Sequence, residues 1–217
     1  MSFDFNFKVV LIGSPRVGKT SLIIKYIDAI FKPFRTTTVG VDFKFKDLEI
    51  DNKGVRLEIW DTAGEEQYRN PLTSSIYKNA DTAIIVFDLT VEGTLKEVDY
   101  YIKEIDDNCR IDPLIVIVGN KCDLIEKEIE NIEEKIKEIS QGKEFKLFKV
   151  SAKDGINVNE LFEFIAKELK EKKELNKHLH HKKINTGLDQ NENNLNQSKV
   201  IKNSDLIQIK QKKQGCC

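Results

Sequence analysis

A β-rich apolar run at residues 7–12 leads straight into Gly13-Ser14-Pro15-Arg16-Val17-Gly18-Lys19-Thr20, and a helical pattern starts at once. This strand, G-x-x-x-x-G-K-[ST] loop and helix constrain the chain more than any other feature, because they demand a parallel sheet with helices crossing over its faces. The glycines let the backbone curl so that N–H groups face an anion, and the helix N-terminus adds its positive dipole end. Lys19 is then placed for the β and γ phosphates of a nucleotide, and Thr20 for Mg2+. Four fixed positions arise by chance in roughly one chain in a hundred. An ordinary tight turn is the alternative against which further motifs are weighed.

The rest of the pattern agrees with that demand. Strand candidates are 7–12, 41–50, 55–60, 82–87, 114–118 and 145–150, and helix candidates are 19–29, a broken one near 68–78, 91–107, 126–140 and 157–175. Alternation of this kind predicts βαβ units. Asp51-Asn52-Lys53-Gly54 reads as a hairpin turn and makes one edge strand antiparallel. The expected fold is a three-layer α/β domain with a six-stranded mixed, mostly parallel sheet flanked by helices, over residues 1–176. Ile125, Ile129, Ile132, Ile136 and Ile139 form one apolar stripe; at about two heptads it is short for a coiled coil, so it is expected to pack on the sheet.

Residues 177–217 turn to Asn, Gln and Lys without periodicity and read as a flexible tail. The net charge of −1 conceals an asymmetry: eight tail lysines face Asp189, Glu192 and Asp205, a balance of +5, which leaves −6 on residues 1–176. The near-cancellation of charge leaves no whole-protein field for polyanions and argues against a general nucleic-acid binder, and no aromatics are interleaved with the tail lysines. His178, His180 and His181 cluster without a neighbouring Cys or carboxylate, so a solvated linker is preferred to a metal site. The four cysteines and the absence of a signal-peptide pattern point to a reducing compartment. No run approaches the roughly 18 to 20 apolar residues of a membrane span.

Two further motifs follow the third and fifth strands. Asp61-Thr62-Ala63-Gly64 puts a carboxylate beside the phosphate loop, where it can hold Mg2+, and an amide at Gly64 for the γ phosphate. Asn120-Lys121-Cys122-Asp123, with Ser151-Ala152-Lys153 after the last strand, selects the base. Asp123 can accept from the N1–H and 2-amino group of guanine, whereas adenine has an acceptor at N1 and would leave the carboxylate unpaired. Amides near Ala152 would donate to guanine O6, and the stems of Lys121 and Lys153 would cover the ring.

Together these motifs resemble the Ras superfamily of small GTPases over about residues 6–175, and within it the Rab family through Thr38-Val39-Gly40-Val41-Asp42-Phe43, residues 56–64 and Gly215-Cys216-Cys217. The resemblance implies a monomeric switch that binds GTP or GDP with Mg2+, hydrolyses GTP and regulates vesicle traffic. The implied nucleotide contacts are residues 13–20, Phe31, Thr38, residues 61–65, Asn120, Lys121, Asp123 and residues 151–153. Thr38 would join Thr20 and Asp61 at the metal, and Lys19, Gly64 and Glu65 would be catalytic. Phe31 would meet guanine edge-on or, alternatively, sit in the core. Effectors would be met by Arg35, Thr36, Thr37, Thr38, Val39, Gly40, Val41, Asp42, Phe43, Trp60 and Ile76. From strand position alone, Phe43 and Trp60 would be core residues. Cys216 and Cys217 resemble a paired geranylgeranylation site, and two lipids anchor more firmly than one. That implies the cytoplasmic face of a membrane with a cytosolic pool, and as partners an exchange factor, an activating protein, a GDP-dissociation inhibitor or escort, and effectors.

The chain departs from the family pattern in three places. Glu65 stands where Gln usually positions the attacking water; a carboxylate can take a proton from that water but repels the growing phosphoryl charge. Pro15-Arg16 replaces small residues in the phosphate loop. One extra residue near Asn70-Pro71 alters the second switch and places Ile76 where a third effector aromatic is usual. A persistent GTP-bound landmark is therefore the rival reading, and a small-molecule kinase the more distant one.

Overall fold

The computed structural model describes residues 3–33, 41–62, 76–109, 111–125, 132–140 and 145–185. Its sheet has six strands: β1 (Phe5–Ile12), β2 (Val41–Ile50), β3 (Lys53–Thr62), β4 (Thr82–Asp88), β5 (Leu114–Asn120) and β6 (Lys146–Lys149). They lie in the order β2-β3-β1-β4-β5-β6. Only β2 runs antiparallel, against β3. The helices are α1 (Lys19–Asp28), α2 (Glu92–Lys96), α3 (Val98–Asn108), α4 (Ile132–Ile139) and α5 (Val158–Asn185).

Period-two alternation divides the sheet into two apolar faces. Phe5, Phe7, Val9 and Leu11 of β1 pack with Leu57, Ile84 and Val116 beneath α1 and α5. Val10, Ile12, Ile85, Phe87 and Ile117 pack with α3 and α4 on the other side. Both faces being covered explains why β4 is buried at all seven positions. Ile132 and Ile136 of α4 enter the second core, with Ile125 and Ile139 against its margin; the isoleucine stripe does pack on the sheet. Ile129 lies outside the described residues.

Several boundaries differ from those read in the sequence. The hairpin turn is two residues, Asp51-Asn52, both with positive φ (50° and 59°), and the chain re-enters the sheet at Lys53. That short turn suits the sheet twist and lets β3 reach Thr62, so Asp61 sits within the sheet opposite Leu11. The segment 91–107 forms two helices. Thr94 Oγ1 is held by Asp88 and Val91, and at Glu97 ψ flattens to −9° as its carboxylate accepts from Ser14 Oγ at 2.6 Å. Of the helix expected at 68–78, only residues 76 and 77 are described. Strand β6 is shorter than 145–150: Phe145 packs beside it, and Val150 bonds Gly119 from beyond its end.

Helix α5 continues nine residues past the expected domain boundary at 176. No Pro or Gly interrupts Lys-Glu-Leu-Asn-Lys-His-Leu there, and Lys177 lies over the Phe5 ring at 4.8 Å. The helix is tied along its length by Lys170 to Asp51 at 2.9 Å and by Lys172 to the Asp112 carbonyl at 2.9 Å. Among the described residues, no helix is long and apolar enough to cross a membrane.

Tyr26 of α1 stacks on the fully buried Phe162 of α5, with ring centroids 4.0 Å apart. Truncating Phe162 to Ala removes that stack and leaves a cavity, at a cost of about 3–5 kcal/mol. Urea unfolding of the two proteins is expected to show the midpoint lowered with little change in slope.

Candidate functional site

The loops that leave the carboxyl ends of β1, β3, β5 and β6 converge on one cleft of about 780 Å³. Pro15, Arg16, Gly18, Lys19 and Thr20 form one side, Asn120, Lys121, Asp123, Ala152 and Lys153 the other, with Phe31 and Lys32 beside them. Ligands lie at such carboxyl ends in open parallel sheets, next to the strand where chain order reverses, here β1.

In the phosphate loop, Gly13 has φ 139°, and a Cβ there would fall 2.1 Å from the Val86 carbonyl oxygen. Gly18, at φ 97°, brings the loop against Asn120: its Cβ would stand 2.4 Å from Asn120 Nδ2. Lys19 is 5% exposed, and its Nζ donates to the Gly13 and Ser14 carbonyls at 2.7 and 3.0 Å. Burial lowers its pKa to about 8, opposed by the nearby Asp61 carboxylate. Thr20 Oγ1 donates to Asp61 Oδ2 at 2.6 Å. A hydroxyl and a carboxylate, both hard oxygens brought together from α1 and β3, fit the donor set that Mg2+ takes beside nucleotide phosphates. The Thr62 hydroxyl turns into the sheet and donates to the Leu11 carbonyl at 2.7 Å.

Asn120 joins three segments. Its Nδ2 donates to the Val17 carbonyl at 2.8 Å, and its Oδ1 accepts from the Ala152 amide at 3.1 Å. That second bond engages the Ala152 N–H within the protein. Among the described residues no backbone hydrogen bond uses the Lys153 N–H. Asp123 accepts from Ser151 Oγ at 2.7 Å, and Lys153 Nζ stands 3.6 Å from its other oxygen. Lys121 takes a left-handed conformation (φ 65°), and its Nζ pairs with Asp88 at 2.5 Å. Phe31 is half-buried on the cleft wall and belongs to neither core cluster.

On the outer face of the β2–β3 hairpin, Val41, Phe43 and Phe45 are 42%, 51% and 47% exposed. Phe43 stacks on its cross-strand partner Trp60 at 5.4 Å and meets Phe45 edge-on at 5.5 Å. The strand-position reading of Phe43 as core therefore fails, because β2 is an edge strand and, among the described residues, no helix covers this face. Asp42 is likewise exposed. Ile76, expected among the effector residues, is 6% exposed and packs with Ile85 and Phe87 in the second core; its aliphatic side chain gains more from burial than from solvent. Arg35, Thr36, Thr37, Thr38, Val39, Gly40, Ala63, Gly64, Glu65, Pro71, Cys216 and Cys217 lie outside the described residues.

Sequence reading missed two acids. Asp88 ends β4 and holds Lys121 on one oxygen and the Thr90 amide and hydroxyl on the other, at 2.9 and 2.7 Å; an acid closing an otherwise apolar strand was the available signal. Glu97 binds buried Ser14, and nothing in its helical surroundings marks it.

The depressed pKa of Lys19 has a pH consequence with a definite sign. Between about pH 8 and the ordinary 10.5 the unfolded chain holds this proton and the folded chain does not, so this group's contribution to stability rises with pH across that window. A polyphosphate bound beside the amine is expected to reverse the shift. Calorimetric titration of GDP at pH 8.5, in buffers of different ionisation enthalpy, is expected to show proton uptake that vanishes near pH 6.5 and in Lys19→Met.

Comparison with known proteins agrees with this geometry. A family model described as the Ras family matches residues 8–171. Ras-related protein Rab-19 of Homo sapiens is 37% identical over 168 residues, 77% of either chain. Ras-related protein Rab-30 of Homo sapiens is 38% identical over 160 residues, 74% of this chain and 78% of its own. GTP-binding protein YPT1 of Saccharomyces cerevisiae is 38% identical over 169 residues, 78% and 81% of the two chains. With a matched family model across most of the chain and relatives above 30% identity over three-quarters of it, the chain belongs to the Ras family and is a Rab-family small GTPase.

Proposed function

We propose that this small GTPase of membrane traffic works as a lipid-anchored, GTP-hydrolysing switch, with guanine held by the 120–123 and 151–153 loops and phosphates by residues 13–20. The observation that supports this best is Asn120, whose two hydrogen bonds fix the base loops against the phosphate loop. Asp123 reads the N1–H and 2-amino edge of guanine, Lys121 and Lys153 flank the ring, and Lys19 meets the β and γ phosphates. Thr20 and Asp61, joined by Thr38, would hold Mg2+, which when bound would neutralise charge developing on the phosphates. The γ phosphate orders Thr38 and Gly64, and its loss releases both switches.

Phe43, Trp60 and the 35–42 segment present the ordered state to effectors, and the Phe43–Trp60 stack gives them a preformed aromatic anchor. Cys216 and Cys217 carry two geranylgeranyl chains, and the lysine-rich tail adds attraction to an anionic cytoplasmic leaflet. Exchange factor, activating protein and escort then set the cycle between membrane and cytosol.

Glu65 decides how the switch turns off. Single-turnover release of γ-phosphate by the parent and by Glu65→Gln separates the two readings. A parent rate equal to or above that of the variant makes Glu65 a working replacement. A parent that holds GTP while the variant hydrolyses it makes the protein a persistent on-state landmark.

Base selection has its own test. Asp123→Asn exchanges an acceptor for a donor at the 2-position, so affinity for GDP is expected to fall at least a hundredfold while XDP, with a 2-oxo group, binds better than to the parent. Competition against a fluorescent nucleotide measures both.

A further inference from the structure

Among the described residues five cations line the cleft: Arg16, Lys19, Lys32, Lys121 and Lys153. Three are committed within the protein, Lys19 to two carbonyls, Lys121 to Asp88 and Lys153 to Asp123. Arg16 and Lys32 are exposed, and neither forms an ion pair or side-chain hydrogen bond with another described residue. Arg16 also keeps a long side chain at φ 63°, a left-handed conformation that glycine adopts without strain. A strained residue at a ligand cleft points to a role there.

We propose that the side chains of Arg16 and Lys32 are additional phosphate ligands. They converge on the polyphosphate of the bound guanine nucleotide from the phosphate loop and from the segment after α1, and they slow its release. This rests on the nucleotide reading above and extends it, because a G-x-x-x-x-G-K-[ST] loop holds phosphates through main-chain amides and its lysine alone. The γ phosphate adds charge beyond what Lys19 and a divalent ion balance, and Arg presents a planar fork suited to it. Lys32, a flexible point charge, contributes without fixed geometry.

The test is release of a fluorescent GDP, and of a fluorescent non-hydrolysable GTP analogue, from the full chain across a range of KCl. Arg16→Gln and Lys32→Gln are each expected to release nucleotide about five- to tenfold faster at low salt, with the gap closing as salt rises. The effect is expected to be larger for the GTP analogue, and Arg16→Lys is expected to restore most of the difference. Arg16→Gly separates charge from backbone: if loop geometry alone mattered, relief of the left-handed residue would slow release, and that result overturns the proposal. So do Gln variants that match the parent at low salt, or a difference that salt leaves unchanged. A parent that retains no guanine nucleotide overturns the nucleotide reading itself.

Discussion

The buried carboxamide of Asn120 is the contact on which the rest of the cleft depends. It is 1% exposed and reaches a carbonyl 103 residues upstream and an amide 32 residues downstream. A buried amide left unpaired would cost about 1–3 kcal/mol, so the loops after β1, β5 and β6 are driven to the one arrangement that satisfies it. Gly18 is part of the same constraint, since any Cβ there would clash with Asn120 Nδ2 at 2.4 Å. Gly119 permits the approach from below, where a Cβ would strike Leu89 and Phe87 within 3.0 Å.

What brings those loops together is strand order. Because β3, β1, β4, β5 and β6 run parallel, their carboxyl ends share one edge, and chain order reverses around β1. The two apolar faces make that edge stiff: the strands under the cleft are buried on both sides and cannot shift without exposing one of the cores. The antiparallel β2 stands apart. Lying at the margin with no helical cover among the described residues, it exposes Val41, Phe43 and Phe45, and that is where an aromatic surface can change partners without disturbing the base loops.

How much of this was legible in the sequence depended on range. Six strands and the chemistry of the loops followed from local pattern, because period-two apolar runs and glycine-spaced motifs are short-range signals. Boundaries set by distant contacts did not. Glu97 breaks the 91–107 helix toward a serine 83 residues away, and α5 outruns its expected end while Lys177 lies over Phe5. Ile76 was placed by family position rather than by its own side chain, and burial settled it otherwise. The expectation of amides near Ala152 for guanine O6 names no single N–H, because sequence gives no view of the Asn120 oxygen that takes the Ala152 one.

The two acids that escaped sequence reading suggest how the halves of the cleft keep their spacing. Asp88 fixes Lys121 at the base end of the 88–97 segment, and Glu97 fixes Ser14 at its phosphate end. Between them, Thr94 bonds the backbone at Asp88 and Val91, so this short stretch has little freedom of its own. A charge-assisted bond at each end is worth about twice a neutral one. The segment therefore braces the base loop and the phosphate loop from beside Asn120, whose main-chain carbonyl accepts from the Leu89 amide at 3.0 Å. Asn120 and the two acids thus hold the base loop and the phosphate loop in one fixed relation, which suits a protein that must keep its base in place while its phosphates change.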